Sequence, residues 1–121
     1  GRERNASEQA LDQAHVSVAE ARQAQLELHN NVVRAYIQLS LHFAQRDIVE
    51  QQLHQQEQIL ALARRRLDAG IGTHFEVSQA EATLPETHRQ LDSLDEAIAL
   101  TRNQLAALAG RGPGEVGHQR W

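Results

Sequence analysis

Seven histidines, at positions 15, 29, 42, 54, 74, 88 and 118, are the side chains of this sequence best suited to metal or proton-transfer chemistry. A metal site on a helix needs two ligands on one face, typically four residues apart as in His-Glu-x-x-His. No two of these histidines are four apart, so they read as surface or interface residues, and no metal or cofactor is expected. Asp92 and Glu96 form a carboxylate pair one turn apart, which without a cleft is a solvated helix face. No nucleophile–base motif and no glycine-rich phosphate loop is present, so the reading is not an enzyme. Cysteine is absent, which excludes disulfide, thiolate and cysteine–zinc chemistry. A formal charge of −4, with no basic stripe interleaved with aromatics, argues against nucleic acid as a partner. One dense charge cluster remains, Arg64-Arg65-Arg66. It can contact a partner, or it can sit in the last turn of a helix and pair with Glu76 or Glu81.

The elements that carry these residues are helical. Ala, Leu, Gln, Glu and Arg dominate the 121 residues, and aromatics are limited to Tyr36, Phe43, Phe75 and Trp121. That is the composition of long helices and coiled coils. No apolar run is longer than Ile59 to Ala63, far short of a membrane span. Asn5 with Glu8 is spaced as a capping box, and no proline or glycine follows until Gly70. The spacing predicts a lead-in over residues 1–5 and a first helix over 6–69, with some 60 residues making roughly 90 Å.

A 3-4 apolar spacing runs along that helix: Leu11, Ala14, Val18, Ala21, Gln25, Leu28, Val32, Ala35, Leu39, His42, Arg46, Val49, Leu53, Gln56, Leu60, Ala63 and Leu67. Thirteen of these seventeen positions are apolar, which predicts a heptad seam. The middle of the helix is apolar on further sides as well, through Val33, Tyr36, Ile37, Leu41, Phe43, Ala44 and Ile48. Such a stretch is expected to meet at least two neighbours.

The turn is the most specific local signal. Gly70 stands where a helix C′ residue needs φ > 0, Ile71 follows at C″, and Thr73 with Glu76 spells a second capping box. Residues 70–73 are thus a tight turn between antiparallel helices. Helix two is expected over 74–109, with a heptad at Val77, Ala80, Leu84, Thr87, Leu91, Leu94, Ile98, Thr101, Leu105 and Leu108. Pro85 is expected to kink it. Gly110 and Gly112-Pro113-Gly114 end it, leaving a flexible tail over 110–121. The fold class is all-α, a long antiparallel hairpin without β-structure. Counting back from the turn, Leu108 falls opposite roughly residue 36. Residues 7–33 therefore have no partner in helix two, although Leu11, Val18 and Leu28 form an unpaired apolar stripe. Such a patch marks an interaction site. It points to a segment taken from something larger, and for the segment by itself it predicts either fraying of this overhang or self-association through the stripe.

Three runs carry a resemblance. Val33-Arg34-Ala35-Tyr36-Ile37-Gln38-Leu39 resembles the "V-x-x-A-Y-x-x-L" run of the outer membrane efflux protein family, the TolC-like channels of tripartite pumps. Arg66 to Thr73, continuing through Phe75-Glu76-Val77-Ser78-Gln79-Ala80-Glu81-Ala82, is similar to the family's hairpin-tip signature. Asn103-Gln104-Leu105, Leu108-Ala109-Gly110-Arg111 and Pro113-Gly114 are similar to its "N-x-L-A-x-L-x-G-x-x-P-G" close, and Gly1-Arg2 fits its "F-G-R". Pro85 departs from the pattern. The resemblance implies one of two hairpin repeats, placed as the first, in a homotrimer with an outer membrane barrel and a periplasmic helical tunnel. That channel exports drugs or other small molecules, together with an inner-membrane pump and a periplasmic adaptor. The resemblance also implies that the tip, Arg66, Asp68, Ala69, Gly70, Ile71, Gly72, Thr73 and His74, meets the adaptor. The alternative is a free-standing coiled-coil adaptor or oligomerisation module. Flanking strand segments of about ten residues would decide for the barrel.

Overall fold

The computed structural model describes residues 1–111. Among these the chain is all-α, a helical hairpin without strands. Helix α1 covers Arg2–Asp68, α2 His74–Ala82 and α3 Leu84–Ala109. By its contacts the chain divides into two units, Ile37–Asn103, and Gly1–Tyr36 with Gln104–Trp121. The expected flexible tail lies, beyond residue 111, outside the described residues.

Within the unit Ile37–Asn103, cross-helix partners descend in α1 as they ascend in α2 and α3, which makes the pair antiparallel. Arg64 meets Glu81, Gln56 meets Thr87, and Arg46 meets Asp95. One face of each helix is covered. Leu60, Ala63 and Ala80 form a buried cluster, with Val77 and Leu84 packed against it. Ile98 is buried as well, and Leu39, Val49, Leu53, Leu67, Leu91 and Leu94 are half-buried. The small side chains at Ala63 and Ala80 let the helix axes approach, so modest areas suffice to exclude water.

The polar residues that interrupt the heptads have separate explanations. Thr87 and Thr101 are the two most buried polar residues among those described, at 2% and 4% exposure. Thr87 donates its hydroxyl to Gln56 Oε1 at 2.7 Å, and Thr101 donates to the Ala97 carbonyl at 2.8 Å. Arg46 reaches out of the seam to Asp95 at 2.6 Å and also pairs with Glu50. These two bonds, the one to Asp95 first, raise its pKa above the usual arginine value. His42 differs: its Nδ1 is buried with no hydrogen-bond partner. A buried polar atom left unsatisfied costs about 1–3 kcal/mol. His42→Leu should therefore raise the thermal midpoint of the hairpin, gaining on the order of 1 kcal/mol. A lowered midpoint in a circular dichroism melt would show that the ring has a partner.

Two boundaries differ from those the sequence suggests. Helix α1 begins at Arg2, so Asn5 is inside the helix rather than its cap, and its N–H bonds to the Gly1 carbonyl at 3.2 Å. Arg2, Glu3 and Arg4 contain no breaker, and nothing in them stops the helix from extending backwards past a local capping pattern. The second arm is two helices rather than one kinked helix, broken at Thr83. Pro85 has no N–H to give the Glu81 carbonyl four residues back. Thr83 stays in the right-handed region at φ −78°, ψ −22°, and its backbone N–H turns to that same Glu81 carbonyl. Its hydroxyl bonds to the Ala80 carbonyl at 2.8 Å. Pro85 then falls in the first turn of α3, where a missing N–H is no loss.

The outward side of α1 is largely uncovered. In the unit Ile37–Asn103, Ile37, Leu41 and Ile48 are exposed, and Arg102 lies over the Phe43 ring at 5.2 Å from its centroid. In the other unit Ala35 is buried, and Leu28, Leu105 and Leu108 are half-buried. Leu11 and Val18 are 60% and 52% exposed, and every residue from Gly1 to Glu27 is exposed.

Candidate docking tip

The connection between α1 and α2 is closed by backbone hydrogen bonds. Gly70 adopts φ +78°, a left-handed conformation that costs an L side chain roughly 1–2 kcal/mol. The Ile71 N–H donates to the Arg66 carbonyl at 3.0 Å, and the Gly70 N–H donates to the Leu67 carbonyl at 3.0 Å. This pair of bonds is the Schellman motif, which satisfies carbonyls that a helix end leaves bare. The Gly72 N–H adds a third bond, to Arg66 O at 2.8 Å. Thr73 has extended backbone at φ −124°, ψ 155°, and its Oγ1 accepts from the Glu76 N–H at 3.1 Å. Replacing an N-cap threonine by alanine costs about 1 kcal/mol. Thr73→Ala should lower the thermal midpoint accordingly, whereas Thr73→Ser should not; equal midpoints for both variants would remove the cap from the account.

The two glycines do different work. A Cβ on Gly70 would meet nothing within 4 Å. A Cβ on Gly72 would lie 2.9 Å from Arg66 Cβ, 2.9 Å from Leu67 N and 3.0 Å from Arg66 C. Gly72 therefore allows the chain to pass against the end of α1, while Gly70 presents its open side outward.

Charge at the tip is balanced internally. Arg64 pairs with Glu81 at 3.2 Å and Arg66 Nε with Glu76 at 3.5 Å, and Arg66 also donates to the Ile71 carbonyl at 3.3 Å. These exposed pairs add little stability, but they bring α2 carboxylates against α1 guanidinium groups. The Glu76 carboxylate is thus turned to Arg66, not back to Thr73 as a full capping box requires. Asp68, Ala69 and His74 are exposed on the turn. Ile71 is 67% exposed, so it does not fold back as the apolar C″ contact. Phe75, part of the tip signature but not among the residues expected to meet the adaptor, is 68% exposed. Its position off the Val77–Ala80 heptad was the one sequence signal for that. Beside the tip a shallow groove of about 400 Å³ is lined by Ile59, Leu62, Ala63, Gln79, Ala80 and Thr83, with Arg66 and Glu76 at its edge.

No group of three or more histidine or acidic side chains converges as a metal site among the described residues. No helix there is long and apolar enough to cross a membrane.

The chain belongs to the outer membrane efflux protein family, whose profile matches residues 1–111. It is 55% identical over 114 residues to a fusaric acid resistance protein, FusA, of Burkholderia cepacia. That alignment covers 94% of this chain and 22% of the relative, so the chain spans about one fifth of the length of the curated relative it matches. No solved structure matches it. The family is one of transport, associated with the outer membrane.

Proposed function

We propose that this hairpin is a periplasmic segment of the α-helical tunnel of a trimeric outer membrane channel. The channel exports small molecules in concert with an inner-membrane pump and a periplasmic adaptor. The tip, residues 66–74, is where the adaptor docks. The observation that carries this reading is the turn itself. It is closed by three backbone bonds and capped by Thr73, yet the open side of Gly70 faces no part of its own unit. A turn built that tightly and left uncovered is preorganised for a partner, because ordering costs are met before binding. The uncovered apolar residues of α1 supply the second support. Ile37, Leu41 and Ile48 in one unit, and Leu11 and Val18 in the other, suit burial between neighbouring helices of the tunnel. The family match favours this reading over a free-standing coiled-coil module.

Similarity to a fusaric acid resistance protein makes fusaric acid the first export substrate to test. Cells that depend on the full-length channel should lose fusaric acid resistance when its gene is deleted and regain it on complementation. Unchanged resistance in the deletion strain would remove this substrate and leave the tunnel reading to be tested with other small molecules.

A further inference from the structure

We infer that one face of the hairpin, centred on Gln45, Gln52 and Gln56 of α1 and Gln90 of α3, is the wall past which the exported molecule travels, and that this wall takes polar small molecules without selecting them by charge. The inference rests on the tunnel reading above and says which side of the segment forms the conduit. Two observations carry it, both within the unit Ile37–Asn103.

First, charge is segregated between the two broad faces of the paired helices. The pairs Arg46–Asp95 and Arg64–Glu81, and Arg102 over Phe43, bridge the helices on one side of the seam. On that same side Asp47, Glu50 and His54 line a groove along α1 together with Gln51 and Gln58. On the opposite side Gln56 accepts the Thr87 hydroxyl at 2.7 Å, and a shallow groove of about 580 Å³ runs between Gln45 and Val49 of α1 and Glu86, Gln90 and Ser93 of α3. Between residues 37 and 63 the charged residues of α1 are Arg46, Asp47, Glu50 and Glu57, and at about 100° per residue none of them falls on the Gln45 side. Helix α3 brings Glu86 and Arg89 to that side, and the two neutralise each other at 2.8 Å. The face is left with amide donors and acceptors and no net charge.

Second, the contact lines of α1 show which side is concave. One line is the covered seam through Leu39, Val49, Leu53 and Leu60. The other is the exposed apolar stripe Ile37, Leu41, Ile48 and Ile59, which the tunnel reading places against a neighbouring helix. The two lines stand about 130° apart across Gln45 and Gln52, and about 230° apart across Asp47 and His54. In a closed ring every helix touches a neighbour on each side, and its two contact lines are less than half a turn apart on the side that faces the centre. A layer joined through both lines therefore curves around the glutamines and turns the ion pairs to the outside.

The test uses the full-length channel reconstituted in a planar lipid bilayer. Its reversal potential is read in a potassium chloride gradient at low ionic strength, where fixed charges are weakly screened. Gln45→Glu and Gln52→Glu should each shift the reversal potential toward cation selectivity, because charged side chains lining a pore set which ions pass. Gln51→Glu and Gln58→Glu, the same change on the other side of the same helix, should leave it at the wild-type value. All four positions are exposed, so the amount of assembled channel should match wild type in each variant. If Gln51→Glu and Gln58→Glu shift the potential and the other pair does not, the tunnel reading stands and the assignment of its inner face is overturned. Equal shifts from both pairs overturn it as well. If none of the four changes the potential of a conducting channel, this segment does not line the conduit, and the tunnel reading falls together with the inference.

Discussion

Gly70→Asn in the full-length channel is expected to abolish export-dependent resistance without changing the amount of channel assembled. Gly70 has φ +78°, and a Cβ there meets nothing within 4 Å. Asparagine is the side-chain-bearing residue that best tolerates this conformation, so the turn and its three backbone bonds should persist. The added side chain then projects from the open side of the tip. A bulky group in a close-packed contact costs about 1–3 kcal/mol, which is about five- to 150-fold in affinity. Normal resistance in this variant, with normal assembly, would show that no partner closes on Gly70. A β-branched substitution such as Gly70→Val is a poorer probe, because its backbone strain would damage the turn as well as the contact.

Gly72→Ala is expected to do the opposite: to damage the fold of the hairpin itself. Its new methyl group would overlap Arg66 Cβ and the Arg66–Leu67 backbone at 2.9–3.0 Å. Two of those three atoms are main chain inside a helix end, and they cannot rotate away. The turn must open, which strains the bonds from Gly72 and Ile71 to Arg66 O and shifts Thr73 from its cap. Overpacking of this kind costs about 1–3 kcal/mol. In thermal melts of this 121-residue chain, Gly72→Ala should unfold well below wild type, while Gly70→Asn stays close to it. Equal melting of wild type and Gly72→Ala would mean that the close approach relaxes without cost.

The contrast between these glycines marks the limit of what the sequence discloses. Both appear as turn residues between two helices. The need for positive φ at Gly70 follows from its place after a helix with Thr73 close behind. The inward packing of Gly72 depends on the distance to Arg66, which is a three-dimensional quantity. The helical class was legible because the apolar period is sustained over many turns, and because alanine and leucine dominate. The family was legible because three short runs occur in order around the tip.

Helix ends were less legible. The Asn5–Glu8 pair has cap spacing, yet a cap matters only where the chain leaves the helix, and Arg2 to Arg4 give it no reason to leave. Pro85 was legible as a disturbance. The site of the break depended on which neighbour could absorb the lost bond, and Thr83 does so with its N–H, which turns to the Glu81 carbonyl while its hydroxyl donates to the Ala80 carbonyl. The polar seam residues show the same divide. Thr87 and Gln56 sit at heptad positions in each helix, but only the antiparallel register brings them to 2.7 Å. Phe75 was legible as part of the tip signature, but its 68% exposure is a three-dimensional fact that the signature does not give.

The docking of this tip can be tested in living cells through one position. A photo-crosslinking residue is placed at Gly70 of the full-length channel, with a second variant carrying it at Glu96 on α3, in cells expressing the adaptor and pump. Irradiation should join the Gly70 variant to the adaptor, identified by mass spectrometry, and the Glu96 variant should give little of that product. Adaptor crosslinks from Glu96 with none from Gly70, in channels that still export, would contradict the account.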